Sequence, residues 1–275
     1  MKTVCLVENT EGSRGCGIEH GLSFYIETGT HRILMDAGAD DLILKNAEIL
    51  GADLKAVDTV ILSHGHYDHG GGLPYFLSLN HTAKLYVQRS AFGPYYSMHV
   101  SGPKYIGLPE VLQENEQTVL LNGSCEIDSS ISLFADIPSD FPIPSANQRL
   151  KKKEGEEFIP DSFDHEQFPV IHEHGHHYLF SGCAHHGILN ILTCFQKHYG
   201  CDPDAVFSGF HMMKKSGYSD ADIHMITDTA EQLRKTKTIF YTGHCTGTEP
   251  YQIMKSILGD QLHYMHCGDE ITLNP

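Results

Sequence analysis

Four side chains of metal-ligating type stand within six positions in His64-Gly65-His66-Tyr67-Asp68-His69. Imidazole nitrogens and a carboxylate are donors that Zn²⁺, Mn²⁺ and Fe²⁺ accept. His64 and His66 are close enough in the chain for one turn to aim both rings at one ion. Asp68 and His69 can then face a second ion nearby. The run follows the apolar stretch 57–62 with no gap, so a buried strand would carry it. Gly70-Gly71-Gly72 comes next and lets backbone pass tightly beneath a site. The competing reading is a polar loop of solvated histidines. Four ligand types tied to a strand and a glycine run argue against it.

The same arrangement recurs downstream. Apolar runs at 178–180, 205–207 and 238–241 read as strands. They lead into Ser181-Gly182-Cys183-Ala184-His185, Ser208-Gly209-Phe210-His211 and Thr242-Gly243-His244. Each polar, glycine-containing junction ends in histidine. For His185, a core or supporting histidine is the alternative. His211 reads as a ligand, a phosphate contact, an oxyanion partner or a structural residue.

The elements that must position these residues are legible in outline. Strands are expected at 3–7, 22–27, 32–35, 57–62 and 84–88, with a helix over 41–50 closed by Gly51 and another starting near 74. Residues 118–137 alternate loosely as further strands. Helices follow His185 and span 221–234, where Ser219 and Asp222 form a capping box. Thr248 is placed to cap the last helix, and 262–265 reads as the final strand. Segments near 90–109 and 138–169, rich in Gly, Pro and charge, read as irregular loops around a pocket. Within them Tyr95, Tyr96 and Tyr105 read as ring-stacking, lid or core residues. No 20-to-50-residue repeat or low-complexity linker divides the chain, so one domain over 1–275 is expected.

Composition narrows the function. The formal charge of −16 opposes nucleic acid as a partner. Lys151-Lys152-Lys153 is followed by Glu154, Glu156 and Glu157, so its field is cancelled nearby and a solvated loop is expected there. Glu8 interrupts the N-terminal apolar run before a signal h-region forms, and no apolar stretch is long enough to span a membrane. The eight cysteines contain no C-x-x-C pair. Reduced thiols in a cytoplasmic protein are therefore expected.

The segment His64-x-His66-x-Asp68-His69 resembles the H-x-H-x-D-H motif of the metallo-β-lactamase superfamily. That resemblance implies an α/β fold: an αββα sandwich of two mixed sheets flanked by helices, with two divalent ions at one edge. It implies His64, His66 and His185 on one ion, and Asp68, His69 and His244 on the other. Asp36, in Met35-Asp36-Ala37-Gly38, matches the family's loop-orienting aspartate, against a helix or turn cap. The family's Gly-Asp strand end is Gly182-Cys183 here. Whether Cys183, Asp164, Glu166 or none replaces the bridging aspartate stays open. Asp164-His165-Glu166 also falls near where the third histidine motif would lie.

A narrower resemblance spans nearly the whole chain. Glu8-Asn9, Glu19-His20-Gly21-Leu22-Ser23, Leu44-Lys45-Asn46-Ala47, Gly182-Cys183-Ala184-His185, Gly209-Phe210-His211 and Gly243-His244-Cys245-Thr246-Gly247 resemble the group named for 7,8-dihydropterin-6-methyl-4-(β-D-ribofuranosyl)aminobenzene 5'-phosphate synthase. Together the two resemblances imply a metal-dependent hydrolase. Its expected substrate is a small molecule, phosphorylated or pterin-like, attacked by a metal-activated water. Asp68 is then a ligand and proton acceptor, and His211 a donor to a developing oxyanion. The alternatives are a dihydropterin-diphosphate-dependent transferase, an oxygen- or nitric-oxide-reducing di-iron protein, and a non-catalytic metal-binding protein. The di-iron reading usually needs a flavin domain for which this chain has no room. Neither an organic cofactor site nor an oligomeric state is implied.

Overall fold

A computed structural model describes residues 1–12 and 14–273. β-Branched and aromatic runs bounded by turn residues form its strands. In chain order the first half carries β1 (Lys2–Val7), β2 (Ser23–Glu27), β3 (Arg32–Met35), α1 (Leu42–Leu50), β4 (Thr59–Ile61), α2 (Tyr67–Gly70), α3 (Leu73–Leu79), β5 (Lys84–Gln88), β6 (Tyr95–His99), β7 (Gly102–Tyr105), β8 (Thr118–Leu121), β9 (Cys125–Glu126) and β10 (Ile131–Phe134). The second half carries β11 (Leu150–Glu154), β12 (Glu157–Pro160), β13 (Phe168–Glu173), β14 (His176–Phe180), α4 (Ile188–Tyr199), β15 (Ala205–Phe207), α5 (Asp220–Leu233), β16 (Ile239–Thr242), α6 (Thr248–Leu258), β17 (Leu262–Tyr264) and β18 (Glu270–Thr272).

Two seven-stranded mixed sheets result, ordered β18-β1-β2-β3-β4-β5-β8 and β17-β16-β15-β14-β13-β10-β9. Between them lies an apolar layer in which Phe24 of β2 meets Phe180 and Phe207 edge-on, with ring centroids 6.1 Å apart in both pairs. On the outer face of the first sheet, Ile43 and Ala47 of α1 and Phe76 of α3 pack with Leu34, Val60 and Leu85. On the outer face of the second, Ile191 and Phe195 of α4, Ile226 of α5 and Met254 of α6 pack with Leu179, Val206 and Phe240. Each of these fully buried large side chains contributes about 1.5–3 kcal/mol. The product is the helix–sheet–sheet–helix sandwich expected from the sequence. Among the described residues, no helix is long and apolar enough to cross a membrane.

Parallel strands place the chemistry at one edge. β3 and β4 pair in parallel with Met35 opposite Ile61, so the loops after both start level. In the other sheet Phe180, Phe207 and Tyr241 align across β14, β15 and β16. Gly209 N–H then donates to Gly182 O at 2.8 Å, and Met213 N–H to Cys245 O at 2.9 Å. Ligands in open α/β sheets gather beyond the carboxyl ends of strands, and every histidine junction identified in the sequence emerges there.

Three expectations are corrected. Segments 90–109 and 138–169, read as irregular, instead build a third sheet ordered β12-β11-β6-β7. Pro103 lies in β7 on the edge of that sheet, where a missing N–H is tolerated. Lys151-Lys152-Lys153 lies within β11 rather than in a loop. Its charge is still cancelled locally, through Lys152–Glu154 and Lys153–Glu156 pairs. The capping box of Ser219 and Asp222 is present on α5. Thr248 caps nothing: Gly247 occupies the N-cap of α6 at φ +76°, a turn that favours glycine.

Candidate metal centre

The motif loop is held from behind by Asp36. One carboxylate oxygen of Asp36 accepts from Ser63 N–H at 2.7 Å. The other accepts from Ser63 Oγ–H at 2.7 Å and from His69 Nδ1–H at 2.6 Å. Asp36 therefore orients the loop, as expected. Its φ of +57° is a strained conformation fixed by these bonds. Ser63 has spent its proton on Asp36, so its oxygen accepts from His64 Nδ1–H at 2.8 Å. A side chain at Gly72 would collide with the carbonyl oxygen of Ala37, which is the tight passage the glycine run foretold.

All six sequence-predicted ligands and His211 converge. The His64 ring lies 4.5 Å from that of His66, 4.1 Å from His69 and 4.9 Å from His185. His69 and His244 are 5.0 Å apart, and His185 and His211 4.1 Å. Asp68 Oδ2 stands 3.4 Å from His244 Nε2 and 3.4 Å from His20 Nε2. Ala184, His211 and His244 also adopt positive φ, so four of the described left-handed non-glycine residues lie in the site loops.

Ring orientation is set by partners to which the sequence assigned no role. Asn147 donates to His185 O at 2.7 Å and accepts from His185 Nδ1–H at 2.9 Å. Asn9 repeats this clasp on His244, donating to its carbonyl at 3.2 Å and accepting from Nδ1–H at 2.9 Å. Glu8 adds a bond from His244 N–H at 2.5 Å. With the Nδ1 atoms of His64, His69, His185 and His244 all occupied, their Nε2 lone pairs face the cluster. This is the tautomer control seen behind metal-bound histidines.

The cluster is otherwise unsatisfied. His66 Nε2, His244 Nε2 and both ring nitrogens of His211 are buried without a hydrogen-bond partner. His64 and His185 meet Nε2 to Nε2 at 3.3 Å, and His69 Nε2 lies 3.2 Å from Cys183 Sγ. A buried polar atom left unpaired costs about 1–3 kcal/mol, so such convergence asks for a cation. Burial, reinforced by neighbouring histidines, keeps His64 and His185 well below the usual imidazole range and brings His66 down to about 3. These rings are neutral, as ligation requires. Burial opposes charge on His244, but Asp68 outweighs it and raises His244 to about 9, so a metal ion taking its Nε2 would displace a proton. Among the described residues, five groups have their possible donor atoms within 4.8 Å of one another: His64/Cys183/His185, His69/Cys183/His244, His20/Asp68/His244, Cys183/His211/Cys245 and His66/Asp161/His165. The donor set fits divalent transition metals.

The segment 161–166 supports the site. His165 Nδ1 accepts from Gly65 N–H at 3.0 Å, and its Nε2 pairs with Asp161 at 3.2 Å. Glu166 anchors the opposite loop, accepting from His185 N–H at 2.7 Å and His186 N–H at 3.0 Å. Asp164 is exposed. All eight cysteines are free thiols.

A cavity of about 550 Å³ opens over the cluster, floored by His66, Asp68, Cys183, His185, His211 and His244. Its walls include Lys104, Arg149 and Lys215. Tyr95, Tyr96 and Tyr105 do not line it. Tyr95 is buried and bonds Ser90 O at 2.6 Å, while Tyr96 packs on Tyr105. Part of the wall comes from the third sheet, through Ser97 and His99 of β6, Lys104 of β7 and Leu150 of β11.

A family model described as the metallo-beta-lactamase superfamily matches residues 16–244. An uncharacterized protein of Methanocaldococcus jannaschii is 28% identical over 273 residues, covering 98% of both chains. The 7,8-dihydropterin-6-methyl-4-(beta-D-ribofuranosyl)-aminobenzene-5'-phosphate synthase of that organism is 28% identical over 268 residues, covering 91% of this chain and 88% of the synthase. A crystal structure described as a metal-dependent hydrolase of the beta-lactamase superfamily superposes with a TM-score of 0.82, at 27% identity and full coverage of both chains. Zn²⁺-bound PqqB from Methylobacterium extorquens shares the fold at 13% identity and a TM-score of 0.55, covering 99% of this chain and all of PqqB.

Proposed function

This chain belongs to the metallo-beta-lactamase superfamily, and from that premise we propose that it is a metal-dependent hydrolase acting on a small phosphorylated molecule. The carrying observation is the set of buried, unpartnered imidazole nitrogens converging on the cavity floor. His64, His66 and His185 would hold one divalent ion, and Asp68, His69 and His244 the other. Bound there, Zn²⁺, Mn²⁺ or Fe²⁺ would polarise a phosphoryl or ester oxygen and lower the pKa of a water molecule.

The chain's own residues account for the rest. Asp68 faces the cavity and is the acceptor for a proton released during attack. His211 has both ring nitrogens free and donates to the oxyanion as charge develops. The wall supports a phosphorylated substrate. Lys152, Lys153 and Lys214 are tied to carboxylates, whereas among the described residues Lys104, Arg149 and Lys215 have none within 4 Å. Three free cations on one cavity of an acidic chain attract an anion. Lys104 also sits over the Tyr67 ring, 5.0 Å from its centroid, which fixes the ammonium at the wall.

A dihydropterin-diphosphate-dependent transferase is the second reading, favoured by the M. jannaschii synthase relative. In that case the same cations hold the leaving diphosphate. A turnover screen separates the two. Protein loaded with Zn²⁺, Mn²⁺ or Fe²⁺ is offered phosphomonoesters, phosphodiesters, lactones and dihydropterin diphosphate, beside a His66→Ala control. Metal-dependent hydrolysis of a phosphorylated substrate is expected. Turnover only when an aromatic acceptor is added to the pterin diphosphate would select the transferase. No metal-dependent turnover with two ions bound would refute both.

A further inference from the structure

Cys183 is the member common to three donor groups: it joins His64 with His185, His69 with His244, and His211 with Cys245. In each group its Sγ lies within 4.8 Å of the other donors, and among the described residues it alone is grouped with both pairs of histidines. Of the nearby carboxylates, Glu166 and Asp161 are engaged elsewhere and Asp68 stands to one side. Glu166 is consumed by the backbone of His185 and His186 and by the His186 ring. Asp161 is held by Phe163 N–H and His165. Asp68 reaches His244 and His20 at 3.4 Å but lies 3.9 Å from His69 Nε2, and no donor group places it with His64 or His185. The second sulfur is engaged as well, since Cys245 Sγ accepts from His211 N–H at 3.3 Å and donates to Cys183 O at 3.6 Å.

We propose that Cys183, as its thiolate, is a ligand shared by both ions of the centre. This rests on the metal-dependent reading of the site and gives it a sulfur where a bridging carboxylate would be expected. On metal binding the S–H bond breaks heterolytically: its electron pair stays on sulfur and its proton leaves to solvent. No oxidant is needed. A soft donor at the shared position biases the centre toward Zn²⁺ or Fe²⁺ over Mn²⁺.

X-ray absorption on the zinc-loaded full chain tests this without relying on turnover. Sulfur neighbours are sought at about 2.3 Å from zinc. A shared thiolate gives about one sulfur per zinc in the wild type and in Cys245→Ser. Cys183→Asp is expected to bind two zinc ions with no sulfur neighbour. Cys183→Ser should lose sulfur and bind the second zinc at least tenfold more weakly. About half a sulfur per zinc in the wild type, a fall to half in Cys245→Ser, or sulfur retained in Cys183→Ser would each overturn the shared thiolate. If both Cys183 variants fail to fold, the wild-type and Cys245→Ser counts decide alone. Two zinc ions with only nitrogen and oxygen neighbours would sink this inference and leave the hydrolase standing. Failure of the wild type to bind any of Zn²⁺, Mn²⁺ and Fe²⁺ would sink both.

Discussion

Removing the Asn147 side chain should weaken metal binding more than its distance from the chemistry suggests. Asn147 is buried and makes two bonds to one residue, His185 O at 2.7 Å and His185 Nδ1 at 2.9 Å. Asn147→Ala leaves a buried carbonyl and a buried N–H without partners. At about 1–3 kcal/mol each, partly relieved by water entering the space, a stability loss of about 2–4 kcal/mol follows. The ring would also lose the bond that keeps its Nε2 lone pair aimed at His64. Outer-sphere partners of this kind are worth about 10–100-fold in metal affinity, or about 1.4–2.8 kcal/mol. Asn147→Asp keeps an acceptor for Nδ1–H but sets an anion against His185 O. It should lose stability and keep metal affinity within a few-fold. Asn80 provides the control, because it too is buried and donates to two backbone carbonyls, of Leu54 and Val57, away from the site. Zinc competition against a chromophoric chelator gives affinity, and urea unfolding of the metal-free chains gives stability. The expected pattern is that Asn80→Ala loses stability alone, whereas Asn147→Ala loses both. Native zinc affinity in a folded Asn147→Ala protein would refute the clasp as an orienting device.

Three further outcomes are expected. Asp36→Ala, which strands three donors in a fully buried place, should cost about 3–5 kcal/mol in urea unfolding, and a cost under about 1 kcal/mol would contradict its anchoring role. Single alanine substitutions at Lys104, Arg149 and Lys215 should raise KM for a phosphorylated substrate about 5–20-fold in steady-state kinetics, with kcat nearly unchanged and a shallower salt dependence; unaltered KM in all three would remove the anionic-substrate argument. His31 is partly buried, which lowers its pKa, but Asp58 and Asp128 outweigh burial and raise it above 6.5. A raised folded pKa means the contribution is fully present below about pH 6.5 and fades as pH rises through the folded value. Thermal melts across that interval should show His31→Gln losing the wild type's decline, by about 0.5–1 kcal/mol.

The sequence made one half of the site legible because that half is local. His64 to His69 are adjacent, and their strand and glycine run are visible beside them. His185, His211 and His244 were found because each ends a polar, glycine-containing junction after an apolar run, and the parallel strands that end level bring those junctions together. Asn147 carried no such sign. It lies 38 residues from the ring it holds, in a segment whose Pro and charge content disguised its structure. Asn9, 235 residues from His244, was visible only within a resembling pair of residues. The third sheet was missed because a proline on an edge strand and a lysine run both imitate loop composition, and only pairing between distant segments shows otherwise.

That third sheet divides the molecule by ancestry of labour. The floor of the cavity is built from strand-end loops of the two large sheets, whereas Lys104 and its neighbours on β6, β7 and β11 come from two separate stretches that contribute none of the proposed metal ligands. Change at their cavity-facing positions, Ser97, His99, Lys104 and Leu150, alters what the cavity admits and removes no proposed metal ligand. What the cavity accepts can therefore be altered while the same reaction centre is kept. For an engineer, Ser97, His99 and Lys104 are the positions to randomise, together with Arg149 and Lys215, and the buried Tyr95 is the one to keep.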